Sequence, residues 1–486
     1  MANCFLTPCG WYTPSMASRP LIQRSLASFR RMRWHVRLTL WSFAALAGLV
    51  VAAFAKGADL SLALFFTLEH RWPWLPFLWT PLIGMASVAL TRHVFPGIQG
   101  SGIPQVIAAT RLVAQGRPIG SLVSLRIAVG KVLVGMLALT GGFSAGREGP
   151  SVQVSASILS LAHRFLPHAR ALRHSDMILA GGAAGVAAAF NTPLAGVVFA
   201  IEELGRRLET RTSGVLLGVI ILSGLTSIGL LGNYNYFGRI PLHPMDGHIF
   251  IQVLVSGIVC GVLGGIFSRL LLWPVTHANW GLWRWQRQHP VLFAGVCGLA
   301  IAELGWLTDG LSFGSGYAIA LPLVDGSSSG VPWYAPVGRF LATLISYYSG
   351  IPGGIFAPAL AVGSTLGAIL GPLFGGSDLV PWVTLCMAAF LGAVTQAPIT
   401  AALIVVEMVD GNRMTLPLMA ATLLARAISA RFGPELYQQM ALRFGAPSEH
   451  DMARAEPSPA ALLATHPATA HTADAQRAQH APRQNP

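Results

Sequence analysis

Long apolar runs, separated by short polar or glycine-rich breaks, fill most of this chain. They lie near 38–55, 75–95, 126–141, 177–203, 213–232, 247–274, 290–307, 335–350, 355–374, 379–408 and 414–431. A simple membrane-spanning helix needs about 20 predominantly apolar residues. Several of these runs are shorter, and several longer ones are cut by Gly or Pro. Interrupted apolar segments at matching places of a chain mark a site built from broken helices. The pattern predicts an all-α polytopic membrane protein with helices of uneven length.

The chain also matches itself. Residues 190–203 (FNTPLAGVVFAIEE) align with 395–408 (TQAPITAALIVVEM), so that Asn191 falls on Gln396, Pro193 on Pro398 and Glu202 on Glu407. Upstream, GREGP at 146–150 aligns with GIFAP at 354–358, placing Gly146 on Gly354 and Pro150 on Pro358. The order is the same and the offset nearly so. We read two related halves, roughly 38–232 and 247–440, within a membrane domain at 38–445. Whether the halves are inverted or parallel does not follow from the matches.

Composition agrees with the pattern. Of 486 residues, 53% are hydrophobic and 10% charged, against about 25% charged in an ordinary soluble domain. The net charge is +13, and 30 of the 32 basic residues are arginine, a bias we read as that of a GC-rich, bacterial genome. The charges sit at the edges of apolar runs, where they set topology rather than hold nucleic acid. Residues 1–37 carry Arg19, Arg24, Arg30, Arg31, Arg33 and Arg37, and no acidic residue precedes Asp59. The positive-inside rule then puts the N-terminus in the cytoplasm. The tail at 446–486, rich in Ala, Pro, His and Gln, has no apolar periodicity and is expected to be disordered and cytoplasmic. The five cysteines have no metal-ligand spacing, and neither a metal nor a cofactor is expected.

Three breaks share one grammar: a glycine-rich turn, a proline, then an apolar helical run. They are GSGIPQ (100–105), GREGPSVQ (146–153) and GGIFAPAL (353–360). Pro104, Pro150 and Pro358 each suit the first turn of a helix. A helix start exposes backbone N–H groups and the positive dipole end, which favour an anion. Three such starts in one membrane domain point to a dehydrated anion held by partial charges. A full Lys or Arg charge in direct contact would hold a small anion too tightly for release.

GSGIP, GREGP and GIFAP, with Lys131 ahead of the second and AAFNTPLAGVVFAIEE at 188–203, resemble the motifs of the CLC chloride channels and chloride/proton antiporters. The resemblance spans about 38–445. It implies inverted repeats of tilted, broken helices, a homodimer with one pore per subunit, and a bacterial inner-membrane location. It also implies roles for residues. Ser101, Ile355, Phe356 and Tyr437 match the chloride-binding positions, through the hydroxyls of Ser101 and Tyr437 and the backbone amides of Ile355 and Phe356. A serine at 101, rather than a proline, resembles the chloride-selective form and not the nitrate-selective one. Glu148 matches the gate and external proton acceptor, and Glu203 the internal proton acceptor.

The residues themselves bear on the last two. A carboxylate inside a membrane costs about 2.5–3.5 kcal/mol or more, and at a helix start its charged form is stabilised by the dipole. Glu148, ionised, can occupy an anion site as a tethered mimic; protonated, it loses that attraction. Arg147 beside it is placed either to draw anions in or to pair with it. Glu202 has a repeat partner in Glu407, which suggests a scaffold role. Glu203 falls opposite Met408 and breaks the repeat, as a residue with a special task would. Gln105 and Ile107 stand where well-known bacterial antiporters carry acids, so a proton route through those positions is not expected. The reading is chloride/proton antiport across the membrane. A passive chloride channel is the alternative, and an organic-solute transporter would need wide pockets with several ionisable groups. No enzyme motif stands out.

Overall fold

The computed structural model describes residues 34–166, 172–205, 213–232, 237–238, 248–277, 279–328, 330–375, 378–409 and 411–445. The tail at 446–486, and the basic N-terminal segment except for residues 34–37, lie outside them. The described residues form eighteen α-helices. The first eight are α1 (Trp34–Arg71), α2 (Pro76–Ala89), α3 (Ile103–Ala114), α4 (Leu125–Thr140), α5 (Glu148–Ala162), α6 (His174–Phe190), α7 (Pro193–Phe199) and α8 (Ser213–Leu231). The next five are α9 (Ile249–Thr276), α10 (Gly281–Gln288), α11 (Pro290–Leu307), α12 (Tyr317–Val324) and α13 (Ala335–Ser349). The last five are α14 (Phe356–Leu373), α15 (Val380–Thr395), α16 (Pro398–Met408), α17 (Thr415–Ser429) and α18 (Leu436–Leu442). This is an all-α polytopic membrane protein.

The helices depart from the apolar runs where a local cause acts. The first run, expected at 38–55, extends to 34–71 because no proline follows residue 55 until Pro73, and the single Gly57 is carried within the helix. At 38 residues it is about 57 Å long, well beyond the ~30 Å hydrocarbon core, so it must tilt or project. The runs at 177–203 and 379–408 each split in two. Both splits fall on a non-glycine residue in the left-handed region, Asn191 (φ 60°) and Gln396 (φ 61°), and a proline opens the next helix at 193 and 398. These two residues are repeat mates.

The matched segments also contact each other reciprocally. Glu202 accepts from the amides of Ile399 (3.2 Å) and Thr400 (2.7 Å) in the first turn of α16. Glu407 accepts from those of Leu194 (3.2 Å) and Ala195 (2.7 Å) in the first turn of α7. Each glutamate thus caps the partner segment's helix, satisfying amides that have no intrahelical acceptor. Reciprocal exchange of this kind is what an approximate two-fold relation produces.

Apolar side chains cannot drive helices together where lipid is equally apolar, so close approach and packing matter more. Gly181 and Gly185 of α6 face the backbone of α5 at Ala156 and Ser151–Val152. Gly363 and Gly367 of α14 face that of α15 at Cys386–Met387 and Trp382–Val383. Helix α14 is apolar enough to cross a membrane, yet 78% of its apolar window is buried inside the protein. The two helices that begin at GREGP and GIFAP are therefore each gripped along their length by a neighbour.

A β-carbon at Gly185 would lie 2.5 Å from Ser151 O, and one at Gly367 2.5 Å from Trp382 O. Gly185→Val and Gly367→Val are each expected to destabilise the protein by about 1–3 kcal/mol through overpacking. Gly229→Ala, which meets nothing within 4 Å, serves as the neutral control. Thermal midpoints in detergent check this, and equal midpoints for all three would refute the close-packing account.

Candidate anion site

The GSGIP break is tied down carbonyl by carbonyl. Lys131 Nζ, fully buried on α4, donates to Ile98 O (2.7 Å) and Gly100 O (2.6 Å). Gln105 Nε2 donates to Gln99 O (2.7 Å), and Gln153 Nε2 to Gly97 O (3.2 Å) and Leu122 O (2.8 Å). Gly102 starts α3 at φ 101°, a conformation that an L side chain rarely adopts. With the loop so fixed, Ser101 is buried and its Oγ lies against Gly149.

The other two breaks meet it. Gly146 N donates to Gly354 O and Gly354 N to Gly146 O, both at 2.7 Å. Gly100 N donates to Ile351 O, and Gly353 N to Gly100 O, both at 3.0 Å. A β-carbon at Gly354 would sit 2.9 Å from Gly149 N, so only glycine permits the approach. The starts of α3, α5 and α14 are thereby joined through backbone hydrogen bonds.

Ile355 and Phe356, at the start of α14, are buried. The Phe356 ring lies 6.0 Å from that of Tyr437 and 6.1 Å from that of Phe190. Tyr437 is completely enclosed, and the electrostatic neighbours of its hydroxyl are Glu203, Ser101, Tyr347 and Glu148. The Ser101 and Tyr437 hydroxyls interact with each other, and neither makes a hydrogen bond within 3.5 Å among the described residues. Buried hydroxyls are normally satisfied, so both retain capacity for a further group. A point lined by such hydroxyls and by a helix start is suited to an anion.

Two buried carboxylates lie within electrostatic range of Tyr437. Glu148 is the first residue of α5, 1% exposed, with its carboxyl folded back beside Gly146. Glu203 is 4% exposed and stands with Glu202 in a π-helical turn, Ala200–Gly205. Such turns are rare and often accompany functional sites. Here Glu202 reaches α16, whereas Glu203 is within electrostatic range of Tyr437. The Glu203 carbonyl accepts from Gln438 Nε2 at 2.9 Å, and Arg111 donates to Gln438. All six residues singled out in the sequence therefore gather in one region, from five segments of the chain. Arg206 and Arg207, which follow Glu203, lie outside the described residues.

A cavity of about 550 Å³ leads to Glu148, with Asp59, Glu69, Arg147, Asp309 and Arg339 in its wall. Arg147 pairs with Asp59 (2.5 Å) and donates to Ala55 O (2.6 Å), which anchors it to α1. Sequence reasoning passed over Arg339. It is fully buried on α13, and its Nη1 donates to Phe313 O (2.9 Å) and Gly314 O (3.1 Å). The signal was present, since an arginine inside the apolar run 335–350 is too costly to stand without a partner or a role. Lys131, inside the run 126–141, carried the same signal, but which groups it and Asp59 anchor depends on contacts distant in sequence.

Fold and site together define a helical membrane protein in which three broken helices start around one enclosed polar point. A family model described as voltage gated chloride channel matches residues 83–430. The chain belongs to this family, the CLC proteins. It is 31% identical over 459 residues to the "H(+)/Cl(-) exchange transporter ClcA" of Yersinia pestis, covering 87% of this chain and 89% of that one. A Yersinia pseudotuberculosis exchanger of the same name gives the same identity and coverage. Among solved structures, a slow cyanobacterial Cl-/H+ antiporter superposes with a TM-score of 0.72 at 26% identity, over 85% of this chain and 98% of that one. A CLC-type fluoride/proton antiporter gives 0.68 at 26% identity, over 84% and 99%.

Lys131→Met removes the donor for two carbonyls of the GSGIP loop. Hydrogen bonds to a charged group contribute about 1.5–3 kcal/mol each, so the variant is expected to unfold at a markedly lower temperature. Gln105→Leu removes only uncharged donation and should cost less. A Lys131→Met midpoint equal to wild type would overturn the anchoring role.

Proposed function

We propose that this protein exchanges chloride for protons across the membrane rather than carrying out a chemical conversion. One observation carries the reading. The buried hydroxyls of Ser101 and Tyr437 stand together beside the helix starts, and two buried carboxylates, Glu148 and Glu203, lie within electrostatic range of Tyr437. The chloride-binding groups are the two hydroxyls and the backbone amides of Ile355 and Phe356. Chloride requires donors, and a proton requires a titratable carrier. Glu148, at the cavity, serves as gate and external proton acceptor. Ionised, it competes with chloride for the partial positive charge of the helix starts; protonated, it yields the place. Glu203 is the internal proton acceptor. The exchanger names of relatives at 31% identity support coupling rather than a passive channel. We further read the protein as a homodimer in a bacterial inner membrane with both termini in the cytoplasm. The membrane domain is read as 38–445, made of the two repeat halves, with 446–486 as a disordered tail.

The test is a sealed liposome with a chloride gradient and no proton gradient, in which chloride and pH are followed together. Proton movement against its own gradient is expected for wild type, and chloride flux without a pH change would instead make the protein a channel. Glu148→Gln and Glu203→Gln should each pass chloride while proton movement vanishes. Glu202→Gln, placed in a helix cap, should affect folding more than coupling. Ser101→Pro should raise nitrate flux relative to chloride. An unchanged anion preference in folded Ser101→Pro protein would remove Ser101 from the site, and faster fluoride than chloride flux in wild type would redirect the substrate.

A further inference from the structure

Helix α10 joins two helices, α9 and α11, that are each long and apolar enough to cross a membrane. A short helix that links the ends of two spans lies at the membrane border. Its sequence, GLWRWQRQ, divides by face. Trp283 turns inward, edge-on to Tyr348 at 4.9 Å, and Trp285 packs on Phe293 at 5.3 Å. Arg284, Arg287 and Gln288 are exposed, and their spacing of three and four residues puts them on one face. Trp280, 61% exposed, leads into the helix and meets the ring of Trp273 at 6.4 Å. No acidic residue occurs between Asp246 and Glu303, an interval that also holds Arg269, His277 and His289.

We propose that the exposed face of Gly281–Gln288 is a docking surface for the headgroup of an anionic phospholipid, with Arg284 and Arg287 on the phosphate and Trp280 at the level of the glycerol. Basic residues beside interfacial tryptophans are the chemistry that holds a peripheral helix on an anionic membrane. Charge complementarity selects this occupant over a neutral lipid, because the interval 247–302 holds three arginines and no Asp or Glu. The helix is also braced toward the core. Gln286 Nε2 donates to Tyr348 O, and Tyr348 Oη to Leu270 O, both at 2.5 Å. A headgroup seated on the outer face would therefore restrain the end of α13, from which the GIFAP break emerges.

The proposal rests on the membrane setting and not on the ion carried, and its test involves no transport. The full chain, purified in neutral detergent, is unfolded thermally with phosphatidylglycerol or with the same amount of phosphatidylcholine. A ligand that binds only the folded state raises the midpoint, here by about 5 °C more with phosphatidylglycerol than with phosphatidylcholine. R284Q/R287Q should lose most of that difference, and R284K/R287K should keep most of it. R71Q/R92Q, which removes the same charge from exposed positions elsewhere, should keep all of it. Should the double glutamine variant fail to fold, R284Q and R287Q are each expected to lose part. An undiminished phosphatidylglycerol shift in these variants overturns the proposal, as does equal loss in R71Q/R92Q. A shift reproduced by inorganic phosphate at the same concentration also overturns it, in favour of a free-anion site.

Discussion

The rest of the structure depends on a pair of backbone hydrogen bonds exchanged between Gly146 and Gly354. In an apolar surrounding, a break in a helix leaves amides and carbonyls that no water can satisfy, at a cost of several kcal/mol each. This chain breaks its helices in the middle of the fold and satisfies the broken ends against one another. The exchange fixes α5 and α14 at their starts. The bonds of Gly100 with Ile351 and Gly353 then bring in α3. Glycine is required because the backbones meet at distances that leave no room for a β-carbon at Gly354.

Buried cations brace this polar knot through backbone carbonyls and a carboxylate. Lys131 is turned onto the Ile98 and Gly100 carbonyls, Arg339 onto those of Phe313 and Gly314, and Arg147 onto Asp59 and Ala55. Each cation holds a turn or a helix in place through these hydrogen bonds. The nearer donors are hydroxyls and helix starts, which carry only partial charge. A monovalent anion held by partial charges can leave again, and turnover requires that it leave.

The approximate two-fold relation places capping and turn residues in matched pairs and leaves the residues proposed to carry protons unmatched. Glu202 and Glu407 cap each other's segment, and Asn191 and Gln396 take the same left-handed turn. Glu148 has Phe356 at its repeat position, and Glu203 has Met408. Both buried carboxylates near Tyr437 stand at positions where the match is broken.

The sequence by itself determined the fold class, the three helix starts and the distinction between Glu202 and Glu203. These rest on local rules: apolar run length, proline in a first turn, and a repeat that one acid obeys and its neighbour does not. Helices α10, α12 and α18 were not legible, because each is short and owes its place to contacts such as Trp283 on Tyr348 or Tyr437 on Phe356. Nor could the sequence show that loop 97–102 hangs from Lys131, thirty residues downstream. Tertiary structure alone decided which carbonyls each buried cation would satisfy, and that Ser101, Glu148 and Glu203 would come within range of the Tyr437 hydroxyl. The physical reason is that a buried polar group must find its partner in space, and in a membrane that partner is supplied by whichever segment the packing brings near.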